Sequence, residues 1–187
     1  MQSGYTRLAN ASDLREIASV TQLSWTTAFD SILPPDVISK GTLDHFEDLW
    51  RPILDNYPCE KSVIVQRDET TIACGAHGPY RMGHNPKLKR VDDPRMGELY
   101  RCYVSPHHQG GRIGVLLFKT LMESLIKDGY ETAVAWAYRE NKPANRFFSH
   151  LGGEIIGEGR GLTMGEFEFD EVCYEFKLAD SLRKIPI

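Results

Sequence analysis

The sequence predicts an α/β fold, a mixed sheet covered by helices. Three observations predict it. Runs rich in β-forming residues alternate with helical patterns along the chain. One strand passes through a glycine-rich loop straight into a helix, in "VSPHHQGGRIGVLLFKTL" at 104–121. The length of 187 residues and the 41% apolar content suit one domain that buries its own core, assigned as 1–187.

"YTRL" at 5–8 predicts the first strand. Ser12 and Asp13 offer an N-cap, with Glu16 three residues after Asp13 as in a capping box, and a helix follows to about Trp25. The prolines of "ILPPDVISKG" (32–41) break that helix, and "LDHFEDLWRPIL" resumes one that Pro52 perturbs. "SVIVQRD" and "TIACGAHG" predict a hairpin turning around Asp68 to Thr70. Residues 80–96 are polar, with Gly83, Pro86 and Pro94, and read as a loop. "ELYRCYV" (98–104) predicts a strand. From Arg112 to Lys127, positions 114, 117, 118, 121, 122 and 125 form one apolar stripe, an amphipathic helix that Gly129 ends. "TAVAWAY" (132–138) is a buried strand, and "KPANRFFSHLG" a short helix with Pro143 in its first turn and Gly152 or Gly153 at its end. Two strands near "EIIGEGRGL" and "EFEFDEVCYEFKL" close the chain.

A net charge of −4 without a long basic run excludes a nucleic-acid footprint. "KLKR" (87–90) is followed by Asp92 and Asp93 and reads as a solvated loop. No apolar run approaches the ~20 residues of a bilayer span, and "MQSGYTRLANASDLRE" has no apolar signal core. No membrane association and a cytoplasmic location are therefore expected. The cysteines at 59, 74, 102 and 173 form no C-x-x-C pair and are expected reduced and mostly buried. The six histidines show no ligand spacing, so no metal site is expected.

A strand, a glycine-rich loop and a helix can hold a phosphate, because successive N–H groups and the helix N-terminus converge on it. The same layout also serves as a tight turn that holds nothing. A P-loop spelling is excluded, since no Lys-Ser/Thr pair follows Gly114. The dinucleotide fingerprint does not fit "GGRIG" either.

"YVSPHHQGGRIGVLL" resembles the acyl-CoA loop of the GNAT superfamily of N-acetyltransferases, spelled V-x-P-x-x-[QR]-x-x-G-x-[GA]. Val104, Pro106, Gln109 and Gly114 match, and Arg112 stands where the family has glycine. "YRENKPANRFFSHLGGE" resembles the family segment N-x-x-A-x-x-F-Y-x-x-x-G through Asn141, Ala144, Phe147 and Gly152, with Phe148 in place of the tyrosine. The two segments stand 27 residues apart from Gly114 to Asn141, and the likeness to bacterial members of unassigned substrate spans nearly the whole chain. The resemblance implies a mostly antiparallel sheet of about seven strands, splayed at the acetyl-CoA site and flanked by about four helices. It implies acetyl-CoA as co-substrate, with its pyrophosphate on Gln109, Gly110, Gly111, Arg112, Ile113 and Gly114. Its pantetheine arm would pair with the backbone of Cys102, Tyr103 and Val104, near Asn141, Ala144 and Phe148. A homodimer through the late strands or first helices is a further expectation from the family.

Acyl transfer to an amine needs a base for the amine's proton and a donor for the developing oxyanion. Glu98 opens the strand before the loop, where some family members carry a catalytic glutamate; a purely structural carboxylate is the alternative. Phe148 cannot supply the family's acid, a role Tyr138 or Tyr103 would have to fill or that the reaction omits. Cys102 invites a covalent relay but ranks below a buried, inert thiol. Trp25, Phe29, His77 and Tyr80 are the expected acceptor-side residues, with Trp25 and Phe29 equally at home in a core. The expected function is transfer of acetyl from acetyl-CoA to the primary amine of a small molecule. The alternative is a non-catalytic acyl-CoA sensor, and a third reading is a nucleotide-binding protein using the same loop.

Overall fold

The computed structural model describes residues 4–81, 93–164 and 167–185. Seven strands are joined in the order β1-β2-β3-β4-β5-β7-β6. They are β1 (Tyr5–Leu8), β2 (Lys61–Arg67), β3 (Thr70–Pro79), β4 (Met96–Val104), β5 (Thr132–Tyr138), β6 (Glu154–Met164) and β7 (Phe167–Lys177). The β1–β2, β2–β3, β5–β7 and β6–β7 pairs are antiparallel, and β4–β5 is parallel. A parallel pair needs a crossover, and α4 (Ile113–Lys127) supplies it. The other helices are α1 (Leu14–Phe29), α2 (Pro35–Ile38), α3 (Leu43–Asp55), α5 (Lys142–His150) and α6 (Leu178–Lys184).

The described residues thus hold six α-helices where about four were expected. One extra helix, α2, has Pro35 at its first position, where a missing N–H costs nothing. The other, α6, follows β7 directly and begins at Leu178, which reads from the sequence as the end of the strand. Helix α1 runs on past Trp25 to Phe29. Its entry also differs from the expected capping box. Asn10 Oδ1 accepts from Ser12 N–H at 2.9 Å, and Asp13 Oδ2 accepts from Asn10 N–H at 2.9 Å. Asp13 is further held by Arg7 at 2.7 and 2.8 Å, so its carboxylate is not available to cap α1. Most of the loop expected at 80–96 lies outside the described residues.

The chain divides into two compact units. The first comprises Met1–His77 and Arg101–Leu121. Its core includes Ile17, Trp50, Ile64, Leu117 and Leu121, all essentially without exposure. Trp50 Nε1 donates to Thr21 Oγ1 at 2.8 Å, which satisfies two buried polar groups between α1 and α3. A Cβ on Gly75 would meet Leu121 Cδ1 at 2.6 Å and the Arg101 carbonyl at 2.8 Å, so close packing demands glycine there. The β2–β3 turn places Asp68 and Glu69 at φ of 49° and 63°, the left-handed pair that matches strand twist in a two-residue hairpin.

The second unit comprises Gly78–Tyr100 and Met122–Ile187. Here α4 ends as expected: Gly129 has φ of 91°, its N–H reaches the Ile126 carbonyl, and Tyr130 N–H reaches that of Leu125. Helix α5 ends in the same way, with Gly152 at φ of 85° and Gly153 N–H on the Phe148 carbonyl. Alternation along β4, β5 and β7 sorts side chains onto two faces. Met96, Glu98, Val134, Trp136, Glu171, Cys173 and Glu175 share one of them by register.

Candidate active site

Among the described residues the β4–β5 ladder runs from Met96↔Thr132 to Leu99↔Ala135. Both strands continue beyond it, β4 to Val104 and β5 to Tyr138. Burial changes at the same point: Met96 to Leu99 are buried, whereas Tyr100 to Val104 are partly exposed. The backbone of Cys102, Tyr103 and Val104 therefore lies outside that ladder, as the expected splay requires.

After β4, Ser105 N–H bonds the Ile72 carbonyl at 2.9 Å, and Pro106–His108 make one 3₁₀ turn. Gln109 Nε2 reaches back to the Val104 carbonyl at 2.9 Å. The family's glutamine is thus a brace here: it closes the loop on the strand that enters it. Gly110 has φ of 76°, a conformation a side chain resists, and a Cβ on Gly110 or Gly111 would have nothing within 4 Å. The Cβ side of these two positions is open space. Helix α4 starts at Ile113, so the N–H groups of Ile113, Gly114 and Val115 have no carbonyl one turn back within the helix. Those donors and the helix dipole favour an anion. Ile113 contributes only backbone, since its side chain is buried. Arg112 is exposed beside them and adds positive charge where the family has none.

Asn141 caps α5: its Oδ1 accepts from Ala144 N–H at 3.2 Å. A carbonyl of a ligand must therefore use its Nδ2. The supporting residue is Asn145, whose Nδ2 donates to the Tyr138 and Asn141 carbonyls at 2.8 Å each, while its Oδ1 accepts from Tyr174. Phe148 is a core residue at 7% exposure, with ring centroids of Tyr174 and Phe176 at 5.6 and 5.9 Å.

Glu98 is 1% exposed. Its Oε2 accepts from Arg81 N–H at 2.9 Å and its Oε1 from Arg81 Nε at 3.2 Å and Nη2 at 2.5 Å. The Arg81 guanidinium also lies 4.0 Å from the centroid of Tyr100, whose hydroxyl donates to the Pro79 carbonyl. Tyr80 packs on Met96, Val134 and Cys173 with Trp136 and Ile156. The Cys102 thiol is pushed up to about 12, first by burial and then by neighbouring Cys74. At neutral pH it is a thiol and a poor nucleophile. Burial likewise pushes the Tyr103 phenol up, away from ready proton donation.

The other acceptor-side expectations are revised. Trp25 and Phe29 are buried and stack at 5.5 Å, with Phe46 5.7 Å from Trp25. His77 is fully buried in β3. With these three buried, Tyr80 is the partly exposed member of the set. Sequence reasoning missed Arg81 and Asn145. Arg81 falls in a segment that reads as loop, where nothing in spacing singles it out. Asn145 lies one turn after Asn141 on the same helix, and that i, i+4 spacing was the available signal.

The acetyltransferase (GNAT) family model matches residues 19–153. The N-acetyltransferase YuaI of Bacillus subtilis (strain 168), itself uncharacterised, is 27% identical over 154 residues, 81% of each chain. Solved structures share the fold. The PaiA N-acetyltransferase of Thermoplasma acidophilum in complex with coenzyme A superposes with a TM-score of 0.68 at 17% identity, over 94% of this chain and 99% of that one. An N-acetyltransferase from Staphylococcus aureus Mu50 gives 0.67 at 18%, over 95% and 99%. YncA from Salmonella typhimurium, solved with its cofactor acetyl-CoA, gives 0.67 at 16%, over 95% of each. With its braced glycine loop, its β4–β5 ladder ending at Leu99↔Ala135 and a family model over most of its length, this chain belongs to the acetyltransferase (GNAT) family.

Proposed function

We propose that the protein transfers acetyl from acetyl-CoA directly to the primary amine of a small molecule. The observation that carries this reading is the loop from Val104 to Gly114. Gln109 braces it, the space beside Gly110 and Gly111 on the Cβ side is open, and α4 begins at its end. In this reading the pyrophosphate lies on N–H groups of Gly110 to Gly114 and the Arg112 guanidinium adds charge. The pantetheine amides pair with the backbone of Cys102 to Val104, and Gln109 already occupies the Val104 carbonyl. Asn141 contributes Nδ2. Ala144 has given its N–H to Asn141 and Phe148 its ring to the core, so neither offers those groups to a ligand.

Glu98 is the proposed acceptor of the amine's proton. A carboxylate offers about four lone-pair sites, and Arg81 fills three of Glu98's, leaving one on Oε2. With 1% exposure, that site takes a proton through a relay and not from the amine itself. The attacking nitrogen forms the C–N bond, the C–S bond breaks, and CoA leaves as thiolate. A thiol's pKa of ~8.5 makes that departure feasible without an acid. A second reading has one observation in its favour: three N–H donors on one buried carboxylate also describe a residue that only anchors Arg81.

The test is mass spectrometry of ligands retained by the purified protein, followed by acetyl-CoA titration and CoA-thiol release over an amine panel. Binding with turnover of at least one amine is expected. Binding without turnover of any amine would favour the acyl-CoA sensor, and binding of ATP in preference to CoA would overturn both.

A further inference from the structure

The two polar ends of Asn141 have separate duties. Its Oδ1 accepts from Ala144 N–H at 3.2 Å and caps α5. That leaves Nδ2 as the end a ligand carbonyl can use, and the residue is partly exposed. The backbone beneath sets where that amide stands. Asn141 has φ of −74° and ψ of 73°, and Lys142 N–H reaches the Glu140 carbonyl at 2.8 Å. These are the marks of an inverse γ-turn centred on Asn141, in place of the extended backbone usual at an N-cap. A turn of three residues has one internal hydrogen bond, so its orientation depends on what anchors it from outside.

Asn145 is that anchor. Its Nδ2 donates to the carbonyls of Tyr138 and Asn141 at 2.8 Å each and lies 3.3 Å from that of Arg139. Asn145 N–H adds a bond to the Asn141 carbonyl at 3.0 Å, and Asn141 N–H one to the Tyr138 carbonyl at 3.0 Å. Carbonyls only accept, so the three of them fix which end of the Asn145 amide faces the turn. Its Oδ1 then points away and needs a donor. Tyr174 supplies it, with its hydroxyl donating at 2.8 Å. Tyr174 is 2% exposed on β7, opposite Ala135 of β5 and Ile155 of β6, and its ring centroid lies 5.6 Å from that of Phe148. A strand paired on both sides and a packed ring give the chain of bonds a fixed end. Hydrogen bonds thus run from the sheet through Tyr174 and Asn145 to the turn that carries Asn141.

We propose that Asn145 and Tyr174 are positioning residues for acetyl-CoA: they hold the turn at 138–141 so that Asn141 Nδ2 meets a carbonyl of the pantetheine arm. Neither touches the ligand, and each acts only through Asn141. The inference rests on the acetyltransferase reading and adds to it the residues that set the cofactor's arm.

The experiment measures the CoA affinity of the full chain by calorimetry in a double-mutant cycle. Asn141→Ser keeps an oxygen to cap α5 and removes the amide donor. It should weaken CoA binding about tenfold, the equivalent of one hydrogen bond. Tyr174→Phe keeps the ring and removes only the hydroxyl. It should weaken CoA binding about fivefold, since it can lose no more than the contact it positions. In the Asn141→Ser background, Tyr174→Phe should add less than about twofold. ADP, which carries the pyrophosphate and no pantetheine arm, should bind wild type and Tyr174→Phe alike. Asn145→Ser, which breaks the chain of bonds at its middle, should show the same pattern, so the test does not hang on one variant. Urea unfolding checks that each variant is folded. An unchanged CoA Kd in folded Tyr174→Phe and Asn145→Ser proteins, losses that multiply in the double variant, or an equal loss for ADP overturns the inference and leaves acetyl transfer standing. An unchanged Kd in Asn141→Ser takes the arm away from Asn141 and the inference with it. A wild type that binds no CoA overturns both the inference and the acetyltransferase reading.

Discussion

Arg81 makes three N–H contacts to Glu98, one from its backbone and two from its guanidinium, and so fixes a carboxylate that solvent barely reaches. The pair separates two roles that a single substitution would confuse. If Glu98 takes the amine's proton, Glu98→Gln lowers kcat/KM by about 10²-fold or more. Acetyl-CoA affinity stays within about twofold, because the residue is assigned to the amine. Arg81→Ala then keeps the carboxylate and loses less activity than Glu98→Gln. If Glu98 only anchors Arg81, the two variants lose activity alike.

The loop prediction separates folding from binding. At Gly111 a side chain meets nothing within 4 Å, so Gly111→Asp should fold normally. Its charge would occupy the phosphate's place, and acetyl-CoA binding should be lost by calorimetry. Gly110→Ala is different, because φ of 76° penalises any Cβ by about 1 kcal/mol. It should lower the urea midpoint. A Gly111→Asp protein that binds acetyl-CoA like wild type would move the pyrophosphate off this loop.

Arg112 is expected to act through charge. Arg112→Ala should weaken CoA binding by several-fold at low ionic strength, on the order of 1 kcal/mol for one exposed contact. The difference should shrink at high salt, where screening already removes it from wild type. Equal affinities at every salt concentration would show the side chain merely to be tolerated.

Cys102 provides a check on direct transfer. A thiol pushed up to about 12 stays protonated across neutral pH. Cys102→Ser should therefore retain kcat within a few-fold, and mass spectrometry of enzyme incubated with acetyl-CoA alone should find no acetyl adduct. A stable adduct lost in Cys102→Ser would establish a two-step route instead.

The Arg7–Asp13 pair predicts how stability follows pH. Hydrogen bonds from Arg7 hold the Asp13 carboxyl below its ordinary range, against the opposing effect of burial. A depressed folded pKa contributes stability that is present above the unfolded value of ~3.9 and is lost as pH falls through the folded one. Asp13→Asn should cost about 2 kcal/mol in urea unfolding at pH 7. The gap between wild type and variant should narrow steeply below pH ~4, on the same grounds.

Local chemistry was enough to read most of the fold from the chain. Periodicity placed β1 and β5 at their observed bounds, and α3 and α4 within a residue of them. Gly129 and Gly152 marked helix ends because only a left-handed residue closes them. The strand, glycine turn and helix start at 104–114 were legible because they are contiguous in sequence. Tertiary structure decided everything that depends on partners distant along the chain. Glu98 meets Arg81 from 17 residues away, a pairing no spacing encodes. Trp25 and Phe29 became core because Phe46 packs against Trp25, and His77 because β3 runs through the sheet's interior. Tyr80 is half-buried because Met96, Val134 and Cys173 meet it from three different strands. A side chain's type and period determine which element it joins. Whether it faces solvent, core or substrate depends on what the rest of the chain brings to it.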